Sequence, residues 1–402
     1  SAESLSSGRV STHHPFATRQ PMPVDIQRIE KDQLACWRLR RGDAEVIVAE
    51  QGAQVLSYRQ GEATPIIWLS EEAAFETGQA VRGGVPVCWP WFGDLARNPQ
   101  PVQDSYQGSQ PAPAHGLVRN IDWVMARSDS NADSVTLLFT CNDNRELPGW
   151  QHAVDLSLQI CLDSKGLHLS LTSHNRGNKA VTLSQALHSY FAISDIHQVT
   201  VEGLDGRPYI ETLEAWQQRQ QQGDLAFTGE TDRIYLDLPS RLSLRDPGLK
   251  RRIMLETQGS RSAVLWNPWI AKAQRLSQFA DDAWQRMLCI ETANVLGDVA
   301  QLEPSASLLR RLQAGAVDLG GIDEATNAAI ILVAIVTSTL SPLLFNRILP
   351  AAPLARRKFV VVGAGKQPRL LARRIAGHDE QVVVVDRNPD RQAAVEELGL
   401  DF

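Results

Sequence analysis

Two ionisable side chains of this 402-residue chain stand in unexpected company. Glu291 lies in MLCIETAN (287–294) and His188 in SQALHSYF (184–191), apolar stretches where a charge is costly unless something pairs with it. A carboxyl and an imidazole in such surroundings can be brought toward neutral pKa, so that one takes a proton while the other gives one. That pair suits the interconversion of sugar anomers. A base removes the proton of the anomeric hydroxyl, an acid protonates the ring oxygen, and the ring opens and recloses on its other face. Aromatic residues nearby offer the floor on which a pyranose stacks. The chemistry calls for no metal and no organic cofactor.

A second group of residues reads as anion chemistry. Arg82 opens VRGGVPVCWPWFGD (81–94), and His115 and Arg119 share PAHGLVRN (113–120). Arginine keeps its proton, so a guanidinium beside so apolar and backbone-restricted a stretch needs an acid from elsewhere in the chain or an anionic ligand. Asp232 in TDRIYLD (231–237) and the aromatic run VLWNPW (264–269) complete the set. Taken singly, each has a bland reading: a lone strand histidine is more often structural, His115-Gly116 fits a turn, and both arginines fit ordinary ion pairs.

The elements that must position these groups are strands. From about residue 24 to 314, β-rich runs recur at 44–58, 134–142, 153–163, 166–175 and 179–193, separated by turn residues such as Asn-Arg-Gly-Asn at 175–178. Many short strands at this spacing predict a mainly β sandwich or barrel rather than βαβ units. EAWQQRQQQGD (214–224) reads as a polar insertion, loop or short helix.

The net charge of −6 argues against a general nucleic-acid binder. The five cysteines, Cys36, Cys88, Cys141, Cys161 and Cys289, are scattered and form no C-x-x-C pair, which fits reduced thiols in a cytoplasmic protein better than a zinc site or disulfide framework. Residues 1–23, Ser-rich and without an apolar core, are expected to form a disordered leader. Residues 325–346 carry no charged side chain. They are long enough to span a bilayer, and 325–349 is read as a hydrophobic helix that could tether the chain to a membrane. Residues 357–402 then run strand, glycine turn (Gly363, Gly365), helix and strand, ending in Asp386. This is a truncated Rossmann-like βαβ opening with Pro368 in place of its third glycine.

The runs RGGVPVCWPWFG, AHGLVRN, ALHSYF, TDRIYL, WNPW and CIETAN, in that order, closely resemble the hexose-6-phosphate mutarotases, the glucose-6-phosphate 1-epimerase branch of the aldose 1-epimerase family. The resemblance covers residues 24–314. It implies a galactose-mutarotase-like β-supersandwich with an open cleft, and a monomer acting without cofactor on hexose 6-phosphates. It implies Glu291 as base, His188 as acid, Asp232 as a ligand of sugar hydroxyls, Arg82 and Arg119 as a phosphate clamp, and His115 as a further binding residue. The tail resembles the end of a cation/proton antiporter followed by the start of a TrkA-type nucleotide-binding domain. Two rival readings remain at this point: a catalytically silent carbohydrate-binding protein of the same fold, and a membrane-tethered regulatory module.

Overall fold

The computed structural model describes residues 23–141, 147–318 and parts of 358–397. The chain divides into two units, residues 1–320 and 321–402.

The first unit is built from antiparallel strands. Strands Val24–Lys31, Leu34–Arg41, Ala44–Ala49 and Val55–Gln60 form a meander of four. A nine-stranded sheet runs, in spatial order, Leu225–Ala226, Thr200–Glu202, Arg241–Asp246, Arg251–Gln258, Ser307–Asp318, Gly166–Asn175, Val154–Asp163, Val135–Cys141 and Val124–Ser130. Strand Val154–Asp163 alternates strictly. Leu156, Leu158 and Ile160 are buried, while Ser157 and Gln159 between them are not. That is the pattern of a sheet with one face on the core and one in water.

An eight-stranded sheet runs Gln217–Gln220, Pro208–Glu211, Thr231–Tyr235, Ser262–Asn267, Met287–Asn294, Gln185–Leu187 and Val87–Cys88, with Tyr190–Ala192 also paired to Met287–Asn294. One buried cluster joins side chains of all three sheets, among them Val48, Phe139, Leu158, Leu171, Leu187, Leu265 and Ile290. Burial of this apolar surface is the main favourable term holding the strands together. Helices are brief; Gln100–Gln103 and Trp269–Ala273 are each about one turn.

Two sequence expectations change in detail. The run 179–193 is not one strand but three, Val181–Leu183, Gln185–Leu187 and Tyr190–Ala192. The insertion 214–224 is neither helix nor plain loop. Its residues Gln217–Gln220 pair with Pro208–Glu211 as the edge hairpin of the eight-stranded sheet. Glutamines on an exposed edge need no apolar alternation, which is why periodicity missed them.

In the second unit, Lys358–Val362 and Gln381–Val385 form a parallel pair, Val360 opposite Val383, followed by the short helix Gln392–Glu396. Parallel pairing is what the strand–turn–helix–strand reading predicts. The leader 1–22, the hydrophobic run 325–346 and the turn with Gly363 and Gly365 lie outside the described residues. Among the described residues, no helix is long and apolar enough to cross a membrane.

Candidate active site

The eight-stranded sheet brings Glu291 and His188 together by register alone. Strand Met287–Asn294 is central, with Val264 opposite Glu291 on one side. On its other side Leu187 faces Thr292 and Tyr190 faces Cys289. One register continues through both pairings, so His188 falls opposite Glu291. Residues directly opposite in adjacent strands point to the same face. Two cross-strand rows result: His188, Glu291, Val264 and Ile234, then Tyr190, Cys289, Trp266 and Asp232. Seven of these eight side chains line one cleft of about 490 Å³; Cys289 lies beneath it.

At the floor, His188 Nε2 stands 3.5 Å from Glu291 Oε2. The Glu291 side chain is 2% exposed, and its Oε2 has no hydrogen-bond partner; nor has His188 Nδ1. Tyr190 stacks on the His188 ring at 4.8 Å between centroids, nearly parallel, and Trp266 meets it edge-on. This apolar packing fixes the imidazole plane and removes water from it.

The electrostatics follow from burial. Desolvation, and next the nearby Asp232, push the Glu291 carboxyl well above the usual carboxylate range. Desolvation, and next the electrostatic influence of His115, Arg119 and Arg82, hold His188 well below the ordinary histidine value. Both shifts favour the uncharged form of the group concerned.

Arg82 enters the cleft from a turn that only glycine can make. Gly83 and Gly84 both have positive φ, and a Cβ on Gly84 would lie 2.2 Å from the Val55 carbonyl oxygen. Arg82 Nε donates to the Ser277 carbonyl at 3.3 Å. His115, at φ 64°, accepts at Nδ1 from the Gly93 N–H at 3.3 Å, so a neutral ring carries its proton on Nε2. Its pKa is lowered to about 3 by burial, then by Arg119 and Arg82. Asp232, raised by burial, has Lys272 Nζ 3.9 Å away, and Lys272 also pairs with Glu230 at 3.4 Å.

Five of the six residues singled out in the sequence line this cleft: Arg82, His115, His188, Asp232 and Glu291. Arg119 is not among the lining residues, but it is near enough to His115, His188 and Cys88 to bias their titration. Among the described residues neither Arg82 nor Arg119 has a carboxylate partner. Sequence reading missed Lys272, Tyr190, Phe92 and the far wall, Arg97, Leu213, Trp216 and Leu296. Tyr190 was findable, since it stands two residues after His188 on the same face; Trp216 was not, because its hairpin has no periodicity.

Among the described residues, one group has metal-ligating types together: His188, Cys289 and Glu291, whose ligand atoms lie within 4.8 Å of one another. Burial raises the Cys289 thiol well above its ordinary value, and the unpaired guanidinium groups nearby disfavour a dication. Acid–base work on an uncharged sugar ring fits these three residues better.

Residues 35–312 match the family model of aldose 1-epimerase. The protein named "Putative glucose-6-phosphate 1-epimerase" in Escherichia coli is 32% identical over 275 residues, 68% of this chain and 87% of that one. Its namesake in Cenchrus ciliaris is 31% identical over 314 residues, 75% of this chain and 88% of that one. Among solved structures, a "putative mutarotase" from Salmonella typhimurium superposes with a TM-score of 0.65 at 27% identity, covering 74% of this chain and 97% of its own. Galactose 1-epimerase of Lactobacillus acidophilus, at 15% identity and a TM-score of 0.55, shares the fold. The chain belongs to the aldose 1-epimerase family: it is an epimerase that interconverts sugar anomers.

Proposed function

We propose that this member of the aldose 1-epimerase family acts on hexose 6-phosphates, glucose 6-phosphate first among them, with Glu291 as base and His188 as acid. The observation that carries the reading is the cross-strand pair at the cleft floor, 3.5 Å apart and buried, with Arg82, which has no carboxylate partner among the described residues, lining the same cleft.

Ionised Glu291 takes the proton of the anomeric hydroxyl. His188, carrying a proton, gives it to the ring oxygen. The bond between C1 and the ring oxygen breaks, its electrons going to that oxygen, while the electrons of the former O–H bond form the C1 carbonyl. Rotation about C1–C2 and the reverse steps give the other anomer. Asp232 and Lys272 hold the ring hydroxyls, and Trp266 and Tyr190 supply apolar surface. The 6-phosphate is attached next to the ring oxygen, so it must lie on the His188 side of the cleft. Arg82 lines the same cleft, and Arg119 is near enough to His188 to bias its titration. Guanidinium forks make paired, charge-assisted hydrogen bonds to phosphate, and a free sugar would leave them without a partner.

The test is NMR exchange between the α and β signals of glucose 6-phosphate and of glucose, with Arg82→Ala beside the unaltered protein. Faster exchange for the phosphate sugar is expected, with a KM about 10- to 100-fold higher for Arg82→Ala, the loss of one or two charge-assisted hydrogen bonds. Equal rates for the two sugars would move the substrate to free aldoses; no acceleration of either would leave a binding module.

A further inference from the structure

The cleft floor continues past the acid–base pair. His188, Glu291, Val264 and Ile234 stand side by side on successive strands, each about 4.8 Å from the next. In a pyranose, C3 and C4 form the edge opposite the ring oxygen and C1. With C1 and the ring oxygen at Glu291 and His188, and the hydroxyls held by Asp232 on the strand of Ile234, that edge points along the row toward Ile234. Next to Ile234 comes Trp216, packed against the same apolar cluster. We infer that Trp216 and Arg97 form a second sugar subsite, which takes a glycosyl group attached at O4 of the reacting hexose 6-phosphate. The inference rests on the placement of Glu291 and His188 at C1 and the ring oxygen proposed above.

The indole is presented by costly backbone. Ala215 and Trp216 have φ of 53° and 59°, a left-handed conformation that bulky residues rarely adopt, in a turn that contains no glycine. Leu296, which lines the same wall, has φ 52°. Such strain persists only where the surrounding structure over-determines it, and it gathers at ligand sites. The turn is anchored to the floor at Asp232, whose carbonyl oxygen accepts from both the N–H and the hydroxyl of Thr212.

The chemistry of this wall suits a sugar ring. Trp216 is only partly buried and Leu213 is 45% exposed, so apolar surface is left uncovered at the end of the cleft. The Arg97 guanidinium lies 5.3 Å from the indole centroid. Among the described residues it makes no hydrogen bond or ion pair. An aromatic plate beside free donors matches the C–H face and the hydroxyls of a pyranose. Charge selects between ligands: Asp94 lines this end beside Arg97, so the wall has no surplus charge for a second phosphate. A volume of about 490 Å³ is that of sites holding ligands larger than one monosaccharide.

The experiment uses the full chain and NMR exchange between the α and β signals of the reducing ring. The sugars are glucose 6-phosphate and cellobiose phosphorylated at O6 of its reducing ring, with glucose and cellobiose beside them. The disaccharide phosphate is expected to have a KM about 10-fold below that of glucose 6-phosphate, with kcat unchanged. Trp216→Ala should erase this difference by raising the KM of the disaccharide alone, and Trp216→Phe should restore most of it. Should Trp216→Ala fail to fold, Arg97→Ala, on an exposed side chain, is expected to narrow the same difference. If glucose 6-phosphate turns over and the disaccharide phosphate is refused, the subsite is overturned while the substrate reading stands. Equal rises in both KM values in Trp216→Ala have the same meaning. If only the unphosphorylated sugars are accelerated, the phosphate reading falls, and a KM advantage of cellobiose over glucose that Trp216→Ala removes still supports the subsite; its absence overturns it. Acceleration of none of the four overturns both.

Discussion

The two large sheets of the first unit are built from the same kind of residue to opposite ends. In the nine-stranded sheet, strands such as Val154–Asp163 alternate buried and partly exposed positions along their whole length. In the eight-stranded sheet, Ser262–Asn267 and Met287–Asn294 are buried at every position, and the second of these holds Glu291, Thr292 and Asn294. The nine-stranded sheet turns residues such as Ser157 and Gln159 to water, although it buries Asp246, Arg251 and Arg310. The other covers its polar residues from both sides, apolar core beneath and aromatic cleft above. Covering them is what shifts their proton affinities, so the sheet that is less ideal as a sandwich half is the one able to do chemistry.

The contrast can be broken at its strongest point by Glu291→Gln. The isostere keeps shape and hydrogen-bonding capacity but loses basicity, so turnover should fall by about 10²- to 10⁴-fold with sugar-phosphate binding kept. Loss of binding with turnover retained would remove Glu291 from the base role. Next in size is Leu158→Ala on the core face of the nine-stranded sheet, where Leu158 is 1% exposed. Deleting it should cost about 2–5 kcal/mol of stability and leave kcat/KM per folded molecule unchanged. A drop in kcat/KM comparable to the Glu291 effect would mean that the two sheets do not divide labour as described.

The smallest effect sharpens the comparison. His115 is held neutral in the fold, its pKa depressed to about 3, while the unfolded chain titrates near 6.5. The stabilising contribution of a neutral, half-buried His115 is complete above the unfolded value. It is lost as pH falls from 6.5 toward 3, because only the unfolded chain takes up the proton. His115→Asn, a residue tolerant of the positive φ at this position, should therefore flatten the dependence of Tm on pH in that window by about one proton's worth. An unchanged slope would place the acid sensitivity elsewhere, for instance in His188.

Much of this was legible in the sequence because the nine-stranded sheet obeys a period of two. The runs 153–163 and 166–175 match the observed strands almost residue for residue. The acid–base pair was legible for a different reason, as ionisable residues out of place in apolar strings. What escaped was relation. No periodicity says that 187 pairs with 292 and 190 with 289 through one register, and that pairing alone puts His188 over Glu291. Arg119 is not among the residues lining the cleft, and being four residues from His115 in sequence says nothing about where its side chain goes. Trp216 reaches the cleft from an edge hairpin whose glutamines carry no signal.

The central position of Met287–Asn294 has a kinetic meaning as well. Its backbone is bonded to neighbours on both sides, whereas Gln217–Gln220 is bonded on one side only and its side chains are exposed. Amide hydrogens around Glu291 should exchange only when the whole unit opens, while those of the hairpin behind Trp216 should exchange through local fraying. The candidate base is thus mounted on the strand expected to come apart last, and Trp216 on the edge hairpin expected to fray first.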